Sequence, residues 1–210
     1  NHRVEQPAAA RNVRRKMAET MRAFIAATAP PEVAAQLELV QEQIQAHCAE
    51  GVVRWTRAGQ FHLTLRFLGT IPGDGLPELE LALQRACQGN PSPHVQVERL
   101  GCFPQANRPR VLWVGFSGDV APLCGLQHRI AFETRGLGEP QEDRSFHPHL
   151  TLGRVNKAAS GRELRRLAQA LPTIKAEALG TWTISQIDLI QSRLSSEGAQ
   201  YTTLASVCLA

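Results

Sequence analysis

Phe61–Gly69 reads FHLTLRFLG and Phe146–Val155 reads FHPHLTLGRV, so the tetrapeptide HLTL occurs twice, at His62–Leu65 and at His149–Leu152. Successive side chains of a strand point to opposite faces. In the first copy this puts Phe61, Leu63, Leu65 and Phe67 on one face and His62, Thr64 and Arg66 on the other. The apolar face belongs to a core and the polar face looks outward. Two such strands in one chain predict two related halves that each contribute a strand to one site.

The flanking sequence repeats in the same loose way. Arg22–Ala27 reads as a buried strand closed by Pro30 and Pro31, after which Val33, Leu37, Val40, Ile44 and Cys48 recur at helical spacing up to Gly51. Val52–Thr56 is a further strand. Beyond the first HLTL strand come a turn over Gly69–Gly75 and a helix carrying Leu76, Leu79, Leu83 and Cys87. His94–Arg99 and Val111–Phe116 are strands; Leu123, Leu126 and Ile130 mark a third helix, and FHPHLTLGRV gives the second alternating strand. Ser160 and Glu163 form a capping-box pattern ahead of Leu164, Leu167 and Leu171, so a helix follows this HLTL as well. Thr181–Ser192 and Tyr201–Cys208 close the chain as a hairpin around SSEGAQ, with Gly198 in the turn. Strands and helices interleaved in this order predict an α+β fold, with mainly antiparallel sheet flanked by helices. The duplication predicts two lobes related by a pseudo-twofold axis around a central cleft.

With 210 residues and 43% hydrophobic content the chain can bury a substantial core. Residues 1–20 read as an N-terminal tail, either an expression leader or an extension from an upstream start, and residues 21–210 as one domain of two lobes. The tail holds five basic and two acidic residues, +3 of the total +4, so net charge says little about the folded part and any basic surface there is local. The five cysteines are an odd count with no C-x-x-C pair, which supports neither a disulfide framework nor a zinc knuckle and predicts reduced thiols in the cytoplasm. No apolar run reaches the length of a membrane span.

On a strand, residues two apart share a face and lie about 6.5 to 7 Å apart. His62 with Thr64, and His149 with Thr151, therefore each present an imidazole beside a hydroxyl. A single such pair is a weak signal, because one histidine or threonine on a strand most often serves packing or solvent. Two pairs facing one another would hold a phosphate between two hydroxyls with an imidazole on either flank. That arrangement suits in-line displacement at phosphorus, one histidine deprotonating the nucleophile and the other protonating the leaving oxygen. No metal or other cofactor is expected: His147 shares a face with His149, but no carboxylate or cysteine set accompanies them. His47, His94 and His128 are assigned to packing or solvent, and Ser195 and Ser196 lack the neighbours of a serine nucleophile.

At these residues the chain resembles the two-histidine (2H) phosphoesterase superfamily, specifically the bacterial RNA 2′,3′-cyclic phosphodiesterases, also called 2′-5′ RNA ligases, whose pattern is His-x-Thr-x twice. MRAFIAA, VRWTRAGQFHLTLRFLG, GCFPQANRPRVLWVGF, SFHPHLTLGRV and IDLIQSRLSSEGAQYTTL are similar to family landmarks and extend the resemblance over residues 21–210. It implies a bilobed α+β fold and metal-independent hydrolysis of RNA-terminal 2′,3′-cyclic phosphate to a 2′-phosphate by a monomer, with reversible 2′-5′ ligation as a side activity. His62 is implied as general acid and His149 as general base. Thr64, Thr151 and Arg154 would bind the phosphate, and Phe24 would stack on the terminal base. The implied partners are RNAs with 2′,3′-cyclic phosphate ends, tRNA fragments or nucleotides among them. The alternatives are a phosphodiesterase for 2′-5′ linked oligonucleotides or small cyclic nucleotides, and a non-catalytic RNA-end binding module.

Overall fold

A computed structural model describes residues 20–140, 145–195 and 198–210. All but the last residue of the expected tail, and Ser196 and Glu197 of the expected hairpin turn, lie outside the described residues. In chain order the elements are β1 (Thr20–Thr28), α1 (Pro31–Gln45), β2 (Val53–Trp55), β3 (His62–Pro72), α2 (Leu76–Cys87), β4 (His94–Phe103), β5 (Val111–Gly118), α3 (Val120–Glu133), β6 (Leu150–Val155), α4 (Gly161–Ala170), β7 (Thr181–Thr183), β8 (Gln186–Ser195) and β9 (Gly198–Cys208). The helix starts follow local chemistry. Pro31 opens α1, where a missing N–H costs nothing, and Ser160 with Glu163 forms a reciprocal capping box on α4.

Every strand pairing among the described residues is antiparallel, and the strands run in the order β7-β4-β5-β6-β3-β1-β8-β9 with β2 on the edge of β6. The two HLTL strands are neighbours, joined at a single position, Leu63 opposite Leu150. On one side of this seam lie β3, β1, β8 and β9; on the other lie β6, β5, β4 and β7. The succession β1-α1-β3-α2-β4 is matched by β5-α3-β6-α4-β8, as the duplicated reading expects. The halves nevertheless exchange strands: β4 leaves the first half to pair with β5, and β8 leaves the second to pair with β1.

One face of the sheet packs against the helices in a continuous core that includes Leu63, Leu65, Leu150 and Leu152 with Leu37, Ile44, Leu83, Leu123, Ile130 and Leu167. Leu63 and Leu150 are both 0% exposed, and burying each contributes about 1.5–3 kcal/mol. The opposite face carries a separate small cluster of Phe24, Ala26 and Ile190.

Three sequence expectations change here. The alternation along β3 breaks after Thr64: Ile25 pairs with Arg66 and Ala26 with Thr64, leaving Leu65 as the extra residue of a β-bulge. A one-residue slip exchanges faces, so Arg66 is 5% exposed and donates to Ala131 O at 2.7 Å, whereas Phe67 is 66% exposed. The second HLTL strand begins only at Leu150, because Pro148 has no N–H to offer a ladder. The stretch from Thr181 is two strands, since the chain leaves β4 after Thr183 and joins β1 from Arg22 to Ala26 through β8.

Candidate active site

An antiparallel pair centred on Leu63 and Leu150, whose side chains enter the core, directs the residues flanking them to the opposite face. Continued by one residue to either side, that register sets His62 across from Thr151 and Thr64 across from His149. All four predicted residues thus converge on one cleft, with the histidines on opposite corners. The local geometry of the two histidines is the same. His62 Nδ1 lies 2.8 Å from Gln60 O and His149 Nδ1 lies 2.7 Å from His147 O, in each case the carbonyl two residues earlier. A carbonyl can only accept, so each neutral imidazole carries its proton on Nδ1 and leaves the Nε2 lone pair free. Burial holds both imidazoles below the ordinary range. The carbonyl bonds oppose that shift, while positive charge adds to it, from His149 and Arg154 on His62 and from His147 and Arg154 on His149.

The bulge recurs in β6. Leu112 pairs with Gly153 and Trp113 with Thr151, so Leu152, three residues after His149 as Leu65 is after His62, is the extra residue. A buried glutamine supplies a side-chain donor to the carbonyl of each bulged leucine, and Leu152 O also accepts from Thr56 N at 2.9 Å. Gln41 Nε2 of α1 donates to Leu152 O at 2.7 Å, and Gln127 Nε2 of α3 donates to Leu65 O at 3.2 Å. Each helix serves the HLTL strand of the other half. Beyond the bulge, Arg154 returns to the cleft face, exposed, next to Val111 of β5.

Aromatic rings back both histidines. His62 lies against Phe24 and Tyr201, with ring centroids 4.9 and 5.3 Å away. His149 lies against Phe103 and Trp113, at 5.2 and 6.2 Å. Gly101 makes room for Trp113, since a Cβ there would run into the indole. His147 packs between Trp113 and Phe103, at 4.8 and 5.4 Å, and among the described residues no group of three histidine, cysteine or acidic side chains is arranged to hold a metal ion. Phe24 shares the face of His62 but is only 4% exposed beneath His62 and Tyr201; among the described rings grouped with it, Phe67 and Tyr201 are the exposed ones, the latter 37% exposed. Neither was legible as a site residue. Phe67 reads as core until the bulge is known, and Tyr201 arrives from β9, far along the chain. Gln60 was also missed: its carbonyl orients His62, while its side chain donates to Ala199 O at 2.7 Å and ties the β8–β9 hairpin to this loop.

Residues 28–113 and 120–201 match the family described as LigT-like phosphoesterase. The chain belongs to the LigT-like phosphoesterases. Among its relatives, the RNA 2′,3′-cyclic phosphodiesterase of Aeropyrum pernix is 33% identical over 70% of this chain and 81% of its own length. That of Aquifex aeolicus is 32% identical over 72% and 79%. The crystal structure of TT0787 of Thermus thermophilus superposes with a TM-score of 0.73 at 28% identity, covering 90% of this chain and 98% of the other. LigT of E. coli, crystallised with 3′-AMP, shares the fold with a TM-score of 0.67 at 23% identity, covering 91% and 99%. Both matched segments of this LigT-like phosphoesterase contain one HLTL.

Proposed function

We propose that this LigT-like phosphoesterase hydrolyses RNA-terminal 2′,3′-cyclic phosphates to 2′-phosphates, with reversible 2′-5′ ligation, in which a 5′-hydroxyl attacks in place of water, as a side activity of the same site. The observation that carries the reading is the Leu63–Leu150 pair, beside which two complete His-Thr pairs lie on neighbouring strands, with no hydrogen bond to either Nε2 atom among the described residues. The names of the curated relatives support the substrate class.

The cyclic phosphate sits between the Thr64 and Thr151 hydroxyls, with Arg154 offsetting the charge that builds on the equatorial oxygens. His149 Nε2 takes a proton from water as its oxygen attacks phosphorus, and the bond from phosphorus to O3′ breaks. His62 Nε2, protonated, gives its proton to O3′. The products are a 2′-phosphate and a free 3′-hydroxyl. Exchange with solvent returns both imidazoles to their starting states. Two imidazoles supply both proton transfers, so the reading is metal-independent. The exposed rings of Phe67 and Tyr201, backed by Phe24, form the apolar wall for the terminal base. The catalytic groups all come from one chain, which suits a monomer, and RNA ends as substrate together with free cysteines suit the cytoplasm. No helix among the described residues is long and apolar enough to cross a membrane.

The test is turnover of an RNA oligonucleotide ending in a 2′,3′-cyclic phosphate, in excess chelator, with the product end identified by chromatography. A 2′-phosphate product is expected. Loss of activity restored by a divalent ion, or release of a 3′-phosphate instead, would overturn the mechanism.

A further inference from the structure

β2 is only three residues long, yet it occupies the edge of β6 beyond the single position where β3 pairs with it. It pairs with β6 so that Arg54 stands directly opposite Arg154. The alternation on both strands puts these arginines on the cleft face: Val53 and Val155 beside them enter the core, and both guanidinium side chains are exposed. Gly153 completes the arrangement, since a Cβ there would lie 2.7 Å from Val53 and 3.1 Å from Trp55, and its absence lets β2 close on β6. Like charges directly opposite on neighbouring strands are destabilising. Among the described residues no carboxylate lies within ion-pair distance of either arginine, and the ion pairs present, Arg85–Glu133 and Arg99–Glu98, are elsewhere. Tyr201, the ring against His62, lies within electrostatic reach of both arginines.

A terminal nucleotide has three arms: the cyclic phosphate, the base and the 5′ oxygen that continues into the RNA. The His-Thr pairs and Arg154 take the first, and the Phe67 and Tyr201 wall takes the second. We propose that Arg54, paired with Arg154, binds the 5′-phosphodiester of the terminal nucleotide, so that the site is built for a nucleotide within an RNA chain rather than for a nucleoside cyclic phosphate. Arg54 lies about three residues beyond Thr151 along the strand direction, ~10 Å at a strand's rise, which is on the scale of one nucleotide. An anion held there also relieves the repulsion between the two arginines, giving the facing pair a physical reason.

The inference rests on the cyclic phosphodiesterase reading, and binding separates the two. Calorimetric titration of the wild-type chain with adenosine 2′-phosphate and with adenosine 2′,5′-bisphosphate is expected to show the bisphosphate bound roughly tenfold or more tightly, the worth of one charge-assisted contact. In Arg54→Gln that ratio falls to within about threefold, and Arg54→Lys, which keeps the charge without the guanidinium fork, retains an intermediate ratio. No preference in the wild type, or a preference that survives Arg54→Gln, overturns the proposal. So does an equal weakening of both ligands, which would mean that Arg54 clamps the terminal phosphate itself. A wild-type chain with the expected binding preference but no hydrolysis of cyclic phosphates would instead overturn the catalytic reading and leave the Arg54 subsite standing.

Discussion

Five residues after His149 stands Arg154, and five residues after His62 stands Phe67. The two positions are built alike. Each follows an HLTL, each lies just past a bulged leucine, Leu152 or Leu65, and each is turned onto the cleft face by that bulge. At the two HLTL segments the halves are therefore equivalent, with two imidazoles on i−2 carbonyls and two hydroxyls. One layer out they differ in kind, cation against aromatic. A symmetric pair of imidazoles has no means of telling the attacking water from the departing oxygen. In the proposed reading the outer layer does: with the anionic part of the substrate toward Arg154 and the base toward Phe67, the ribose would present O3′ to one histidine only. On that proposal, chemistry comes from what the halves share, and direction from what they do not.

The comparison breaks most visibly at the histidines. His62→Ala and His149→Ala should each lose about 100- to 10,000-fold in kcat with a cyclic phosphate substrate. A substrate whose leaving oxygen is replaced by a good leaving group needs no proton donor. Stopped-time assays with it should find His62→Ala largely rescued and His149→Ala still inactive; the opposite pattern would exchange the roles of the two halves.

The outer layer should separate next. Arg154→Gln is expected to lower kcat/KM by about 10- to 100-fold, the worth of a charged hydrogen bond of roughly 1.5–3 kcal/mol. The loss should be the same for a nucleotide and for a baseless ethylene cyclic phosphate. Phe67→Ala should cost about 5- to 100-fold on the nucleotide, as stacking contacts do, and nothing on the baseless compound. Sensitivity of both variants to the base would show that the two positions are not divided between charge and base.

The smallest effect concerns pH. The base must be neutral, so activity rises as pH climbs through its pKa; the acid must be protonated, so activity falls as pH climbs through its own. Burial lowers both. The profile of kcat/KM should therefore be a bell with both limbs below the ordinary imidazole value of about 6.5, and the limbs belong to the coupled pair rather than to either residue. Limbs above that value would mean that the free enzyme's cleft is wetter than the buried imidazoles require.

Much of this was readable in the sequence. The helix faces of α1, α2 and α3, the capping box of α4 and the polar faces bearing His62, Thr64, His149 and Thr151 all follow from periodicities that act over a few residues. Arg66 and Phe67 were assigned to the wrong faces because a bulge depends on the partner strand: the count of residues opposite Ile25 and Ala26 is not written in FHLTLRFLG itself. The same holds for Phe24, which shares a face with the site but is roofed by Tyr201 from β9.

By itself the sequence determined which residues could do the chemistry, since a two-residue repeat places a histidine and a threonine on the polar side of any strand they form. Only the tertiary structure decided that the two strands meet at Leu63 and Leu150, that β4 and β8 cross between halves, and that Gln41 and Gln127 reach across to hold the opposite bulge. Those choices depend on pairing energies between segments tens of residues apart, where register is set by what each strand finds beside it and not by its own composition.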